Sequence, residues 1–136
     1  MITAVDTSVL LDVFGADATF GPSSKSALRS CLTEGRLVAC EVVWAEVASF
    51  FPSPAAAVDA MHRLGVEFSP IEKEAALVAS AAWKAYRSRG GQRARVVADF
   101  LVGAHALSQA ERLVTRDRGF YRAYFSRLQV LDPAKA

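Results

Sequence analysis

Apolar residues cluster along this chain in short runs separated by polar punctuation. Ile2–Val5, Leu37–Cys40, Val66–Phe68, Leu113–Thr115 and Leu128–Leu131 are each three or four residues long. Runs of this kind, bounded by turn or capping residues, read as buried strands. Between them the apolar positions recur at helical spacing. That spacing predicts helices over Val9–Phe14, about Ser24–Glu34, Val42–Phe51, Ala55–Leu64, Ile71–Arg87, about Val97–Ala110 and Phe120–Phe125. Pro52 and Pro54 stop the third of these helices and Gly65 closes the fourth. Ile71–Arg87 opens with Glu72 and Glu74 and ends in arginines before Gly90-Gly91, the charge order that a helix dipole favours. Strands alternating with helices predict an α/β fold: three layers, with a mostly parallel sheet of about five short strands covered on both faces.

The 136 residues are read as a single domain spanning 1–136. With 52% hydrophobic residues, the chain builds a core without disulfides or structural metals, and a disordered chain is excluded. Cys31 and Cys40 show no zinc-type spacing and are expected as buried thiols in a reducing compartment. Asp6 and Asp12 interrupt the N-terminal apolar run, which makes a poor signal peptide, and no uncharged run is long enough for a membrane span. The expected location is the cytoplasm. A net charge of +2 does not argue for nucleic acid, yet the sixteen basic residues divide into twelve Arg and four Lys. Arginine is the side chain suited to bidentate phosphate contact.

Most of the fourteen acidic residues fall at element ends or in first helical turns, where carboxylates are solvated. Four do not. Asp6 ends the first strand, and Asp117 follows the fourth in LVTRD. Asp99 opens the apolar helix VVADFLVGAHAL, and Glu46 lies inside VVWAEVASFF. Strand carboxyl ends and helix N-termini meet on one edge of a parallel sheet, where polar ligands bind. That edge is predicted to gather Asp6, Asp99 and Asp117, with Glu46 reaching back to it from a partly buried position. Each has a local reading as well: Asp6 as a helix cap, Asp117 as a turn residue, Asp99 as a cap or a partner of Arg95. Together, four carboxylates repel by about 4 kcal/mol for each close pair at 4 Å and an effective dielectric of 20. Either some stay protonated or a cation neutralises them. Oxygen donors without His or Cys suit a hard ion, Mg2+ or Mn2+, of the kind used in phosphoryl chemistry. Ser8 and Thr115 stand within two residues of Asp6 and Asp117 and can hold carboxylates or water. Arg116 and Arg118 flank Asp117 and can contact phosphate, and Arg89, Arg93 and Arg95 offer a basic loop before the Asp99 helix. His105, six residues after Asp99, faces away from it and is expected to be structural.

The segments Asp6-Thr7-Ser8-Val9-Leu10-Leu11-Asp12, Ala45-Glu46-Val47, Ala98-Asp99-Phe100-Leu101-Val102-Gly103-Ala104-His105-Ala106 and Leu113-Val114-Thr115-Arg116-Asp117-Arg118-Gly119-Phe120 resemble, in order and spacing, the four acidic motifs of PIN domains. At this length the chain most resembles the VapC-type toxins of toxin–antitoxin modules. The resemblance implies a PIN-like fold and a Mg2+-dependent (or Mn2+-dependent) endoribonuclease acting on RNA. It makes Asp6, Glu46, Asp99 and Asp117 the catalytic and metal-binding quartet, with Asp6 and Asp99 the firmest ligands. It implies a homodimer and a cognate antitoxin. Glu41 competes with Glu46 for the second motif; the two lie about 140° apart on a helix, so only one faces the site. Two other classes are carried beside this reading. One is a non-catalytic PIN-like scaffold for RNA or protein. The other is an aspartate-dependent phosphatase, disfavoured because Ser8 stands where that chemistry needs a second Asp.

Overall fold

The computed structural model describes residues 1–91 and 97–135. Among these described residues five strands and seven α-helices follow one another as β1 (Ile2–Val5), α1 (Thr7–Phe14), α2 (Gly21–Glu34), β2 (Arg36–Ala39), α3 (Glu41–Ala48), α4 (Pro54–Leu64), β3 (Val66–Phe68), α5 (Lys73–Ser88), α6 (Val97–Gln109), β4 (Arg112–Val114), α7 (Arg118–Tyr124) and β5 (Val130–Leu131). The strands form one sheet in the order β3-β2-β1-β4-β5. Every neighbouring pair is parallel. Consecutive residues of β1, β2 and β4 are buried, so both faces of the sheet are covered. The chain builds outward from β1 to β2 and β3, then returns to add β4 and β5 on the other side. Strand order therefore reverses between β1 and β4, the place where parallel sheets leave a crevice.

The α/β architecture and the parallel sheet are as the sequence pattern predicts. Boundaries differ where side chains decide them. α1 starts at Thr7 because the Asp6 carboxylate accepts the Thr7 N–H. α5 starts at Lys73 rather than Ile71: the Ile71 N–H is taken by the Glu41 carboxylate and the Glu72 N–H by Gln109. α3 ends at Ala48, short of Phe51, and β5 shrinks to Val130–Leu131.

An aromatic cluster anchors the helix that carries Asp99. Phe100 is fully buried and meets Trp83, Phe120 and Tyr124 edge-on, with ring centroids 5.2, 5.1 and 5.8 Å away. These contacts lock the first turn of α6 against α5 and α7. Gly103 lets Phe125 lie directly on α6, since a Cβ there would come within 2.5 Å of its ring. Cys31 and Cys40 are free thiols, both buried. No helix among the described residues is long and apolar enough to cross a membrane.

Candidate active site

The β1–β4 junction places Asp6. Its N–H donates to the Val114 carbonyl at 3.1 Å, which extends the strand pairing by one residue. Its carboxylate is then held from several sides. The Thr7 N–H donates to Oδ1 at 2.9 Å, the Thr115 hydroxyl to Oδ2 at 2.7 Å and the Tyr121 hydroxyl to Oδ2 at 3.4 Å. Thr115 is fully buried just past β4, and its Oγ1 also accepts the Asp117 N–H at 3.0 Å. One hydroxyl thus fixes both the Asp6 carboxylate and the turn that carries Asp117. On the other side, the Thr7 hydroxyl donates to Glu46 Oε1 at 2.7 Å. Asp99 lies in the first turn of α6.

These four carboxylates line one open cavity of about 520 Å³, together with Thr7, Ser8, Leu11 and Arg116. Burial pushes the Asp6 carboxyl above its usual range, and the negative charges of Asp117 and Asp99 push the same way. The Thr115 hydroxyl and the Thr7 N–H oppose that rise. Strain of this kind is relieved by a proton or a cation. Among the described residues no three groups converge tightly enough to form a ready-made metal cage. Mg2+ does not require one, because it keeps several waters and takes one or two carboxylates directly. The carboxylates around Asp6, with no His or Cys among the lining residues, are a donor set that fits a hydrated hard ion.

Asp6, Glu46, Asp99, Asp117 and Ser8 all lie where the sequence places them, on the cavity. The expected setting of Glu46 is corrected. It is exposed, because Val43 and Val47 take the core-facing side of α3 and leave Glu46 on the outer face. Glu41 is the first-turn residue of that helix and binds Ile71, so Glu46 is the one that reaches the cavity. Arg118 turns to Asp132 at 3.1 Å and is not a lining residue. Arg89 is exposed at the end of α5, also away from the lining. Arg93 and Arg95 lie outside the described residues. His105 is buried with Nε2 3.0 Å from the Ser69 hydroxyl, the structural place expected for it.

Three participants were not singled out from the sequence: Thr7, Tyr121 as a hydroxyl donor, and Asp12. Asp12 is buried and bonded to Ser24 and Arg116. The sequence signal for Asp12 is its place inside the apolar run VLLDVF, where burial penalises an unpartnered carboxylate.

The chain belongs to the PIN domain family, whose model matches residues 3–126. A search of curated proteins by sequence finds no match. Among solved structures, the chain is similar to VapBC2 from Rickettsia felis bound to promoter DNA, with 15% identity, TM-score 0.75 and coverage of 96% of this chain and 98% of that one. It is similar to a toxin–antitoxin complex from Klebsiella pneumoniae, with 20% identity, TM-score 0.68 and coverage of 96% and 97%. It is also similar to VapC20 from Mycobacterium tuberculosis, a toxin that cleaves the sarcin–ricin loop, with 18% identity, TM-score 0.52 and coverage of 82% and 86%.

Proposed function

We propose that this chain is a Mg2+- or Mn2+-dependent endoribonuclease, the toxin of a toxin–antitoxin pair, hydrolysing RNA phosphodiester bonds. The observation that carries this reading is the convergence of Asp6, Glu46, Asp99 and Asp117, from four separate stretches of the chain, on one open cavity. Membership of the PIN family and the fold shared with toxin–antitoxin structures support it. Asp6 and Asp99 would hold the ion, with Asp117 and Glu46 completing the set. A bound divalent ion supplies an activated water at neutral pH and a positive charge for the phosphate being cut. The chain's own residues do the positioning. Thr115 and the Thr7 N–H keep Asp6 oriented, and the Thr7 hydroxyl holds Glu46 over the cavity.

The test is cleavage of single-stranded RNA by the purified chain with Mg2+ or Mn2+, against Asp6→Asn and Asp99→Asn. Each variant is expected to lose at least about a hundredfold in rate, the scale of removing one electrostatic stabiliser. Both variants cutting as fast as the parent would defeat the metal-nuclease reading. RNA binding without cleavage by the parent would favour a scaffold. Phosphatase activity without RNA cleavage would favour the aspartate-dependent phosphatase. The reading also requires a cognate antitoxin, supplied by a small neighbouring gene whose product blocks cleavage, and a homodimer, read as a doubled mass in light scattering. It places the protein in the cytoplasm.

A further inference from the structure

Among the described residues lining the acid cavity, Arg116 is the only cation, and it is unusually well fixed. The Asp12 carboxylate takes its Nε at 2.8 Å and its Nη2 at 3.0 Å. Asp12 is itself buried and pinned by the Ser24 hydroxyl at 3.0 Å. The Phe20 ring covers one face of the guanidinium, with Cζ 4.1 Å from the ring centroid. Phe20 is set by a turn in which Asp17 Oδ1 accepts the N–H groups of Thr19 and Phe20 at 2.9 and 2.8 Å. One edge and one face of the guanidinium are thus occupied. A guanidinium has five N–H donors. Two go to Asp12, and Nη1 has no hydrogen-bond partner among the described residues.

With Asp12 buried and Arg116 about one-third exposed at its side chain, such a carboxylate–arginine pair is a weak device for stability. Its distinctive effect here is to hold one cation at the wall of a cavity that otherwise repels anions. We propose that Asp12, Ser24 and Phe20 form a cradle that pre-orients Arg116 to bind a non-scissile phosphate of a single-stranded RNA, with Asp12 a positioning residue that acts through Arg116. The proposal rests on the ribonuclease reading. The acid cavity deals with the phosphate that is cut, and Arg116 gives the neighbouring strand its register. Its planar fork suits phosphate geometry, and the cradle has already removed the rotamer freedom that a free side chain loses on binding.

The experiment measures binding of a fluorescent single-stranded RNA in EDTA across a salt series, with kcat and KM read separately in Mg2+. Arg116→Ala is expected to weaken binding about tenfold, the worth of one charge-assisted hydrogen bond. It lowers the salt slope by about 0.7, and in turnover it raises KM while leaving kcat unchanged. Arg116→Lys keeps the salt slope but not the affinity, because the charge remains and the fork is gone. Asp12→Asn and Phe20→Leu each weaken binding in the parent and have no further effect beside Arg116→Ala. Unchanged affinity and salt slope in Arg116→Ala overturn the phosphate subsite. Full additivity of Asp12→Asn and of Phe20→Leu with Arg116→Ala overturns the positioning role. Phe20, at the surface, keeps that arm readable should Asp12→Asn fail to fold. A parent that binds RNA through Arg116 but cuts it with neither Mg2+ nor Mn2+ overturns the nuclease reading and leaves the subsite standing. A parent that binds no RNA overturns both.

Discussion

Thr115→Val removes one buried oxygen and keeps the side-chain shape. Two bonds disappear: the 2.7 Å donation to Asp6 Oδ2 and the 3.0 Å acceptance of the Asp117 N–H. A hydrogen bond to a charged group contributes about 1.5–3 kcal/mol and a neutral one about 1 kcal/mol. Asp6 keeps its bonds from Thr7 and Tyr121, which places the loss toward the lower end, at about 2 kcal/mol. For a domain of this size that is a fall in Tm of roughly 6–10 °C. The same change moves Asp6. The Thr115 hydroxyl is the strongest influence lowering its carboxyl pKa, so the variant raises that pKa further. In RNA cleavage the acid limb of the pH–rate profile then shifts to higher pH. Urea unfolding gives the first quantity, and kcat/KM against pH gives the second. Thr115→Ser restores the hydroxyl and is expected to recover both. A Thr115→Val chain as stable as the parent, with an unmoved acid limb, would refute the linchpin role of this hydroxyl.

Three further outcomes follow from the same geometry. Asp6→Asn is expected to unfold at a higher temperature than the parent at pH 7. The folded carboxyl pKa is raised, so ionising Asp6 costs stability above that pKa, and the advantage of Asn fades as pH falls through it toward 3.8; thermal melts at pH 7 and pH 3.5 read this, and equal melting temperatures at pH 7 would contradict it. Burial lowers the His105 pKa, so the unfolded chain binds that proton more readily than the folded one. Stability is therefore lost as pH falls below about 6.5 toward the folded value, and chemical denaturation of His105→Gln should lack that slope. Gly103→Ala brings a methyl to 2.5 Å from the Phe125 ring and should destabilise by about 1–3 kcal/mol, measured by urea unfolding.

The order of elements was legible because the central strands β1, β2 and β4 are short, mostly apolar runs closed by a turn or cap, the signature of strands covered on both faces. The acids near strand ends were legible for the same reason: Asp6 directly follows β1, and Asp117 lies three residues past the end of β4. The setting of Glu46 was not. α3 has only eight residues with apolar side chains on most sides, so local spacing does not say which face turns to the core. Tertiary packing decides it instead: Trp44 meets Phe68 of β3 edge-on, 5.7 Å between ring centroids. The fate of the arginines was also hidden. Arg116 meets Asp12 across 104 positions of sequence, and that meeting depends on β4 joining β1. Arg118 pairs with Asp132 after β5, a contact fixed by the last strand rather than by the TRDRG segment.

The cavity also has a history within each molecule. β4 pairs with β1, and the Thr115–Asp6 bond closes a span of 109 residues. A chain still being made has Asp6 and Glu46 long before it has Asp99 and Asp117. Contacts of such long range form only against the entropy of closing a long loop. No growing or half-folded chain therefore carries the complete acidic cavity. Whatever the finished site does, it begins all at once, when the last third of the chain docks beside the first strand.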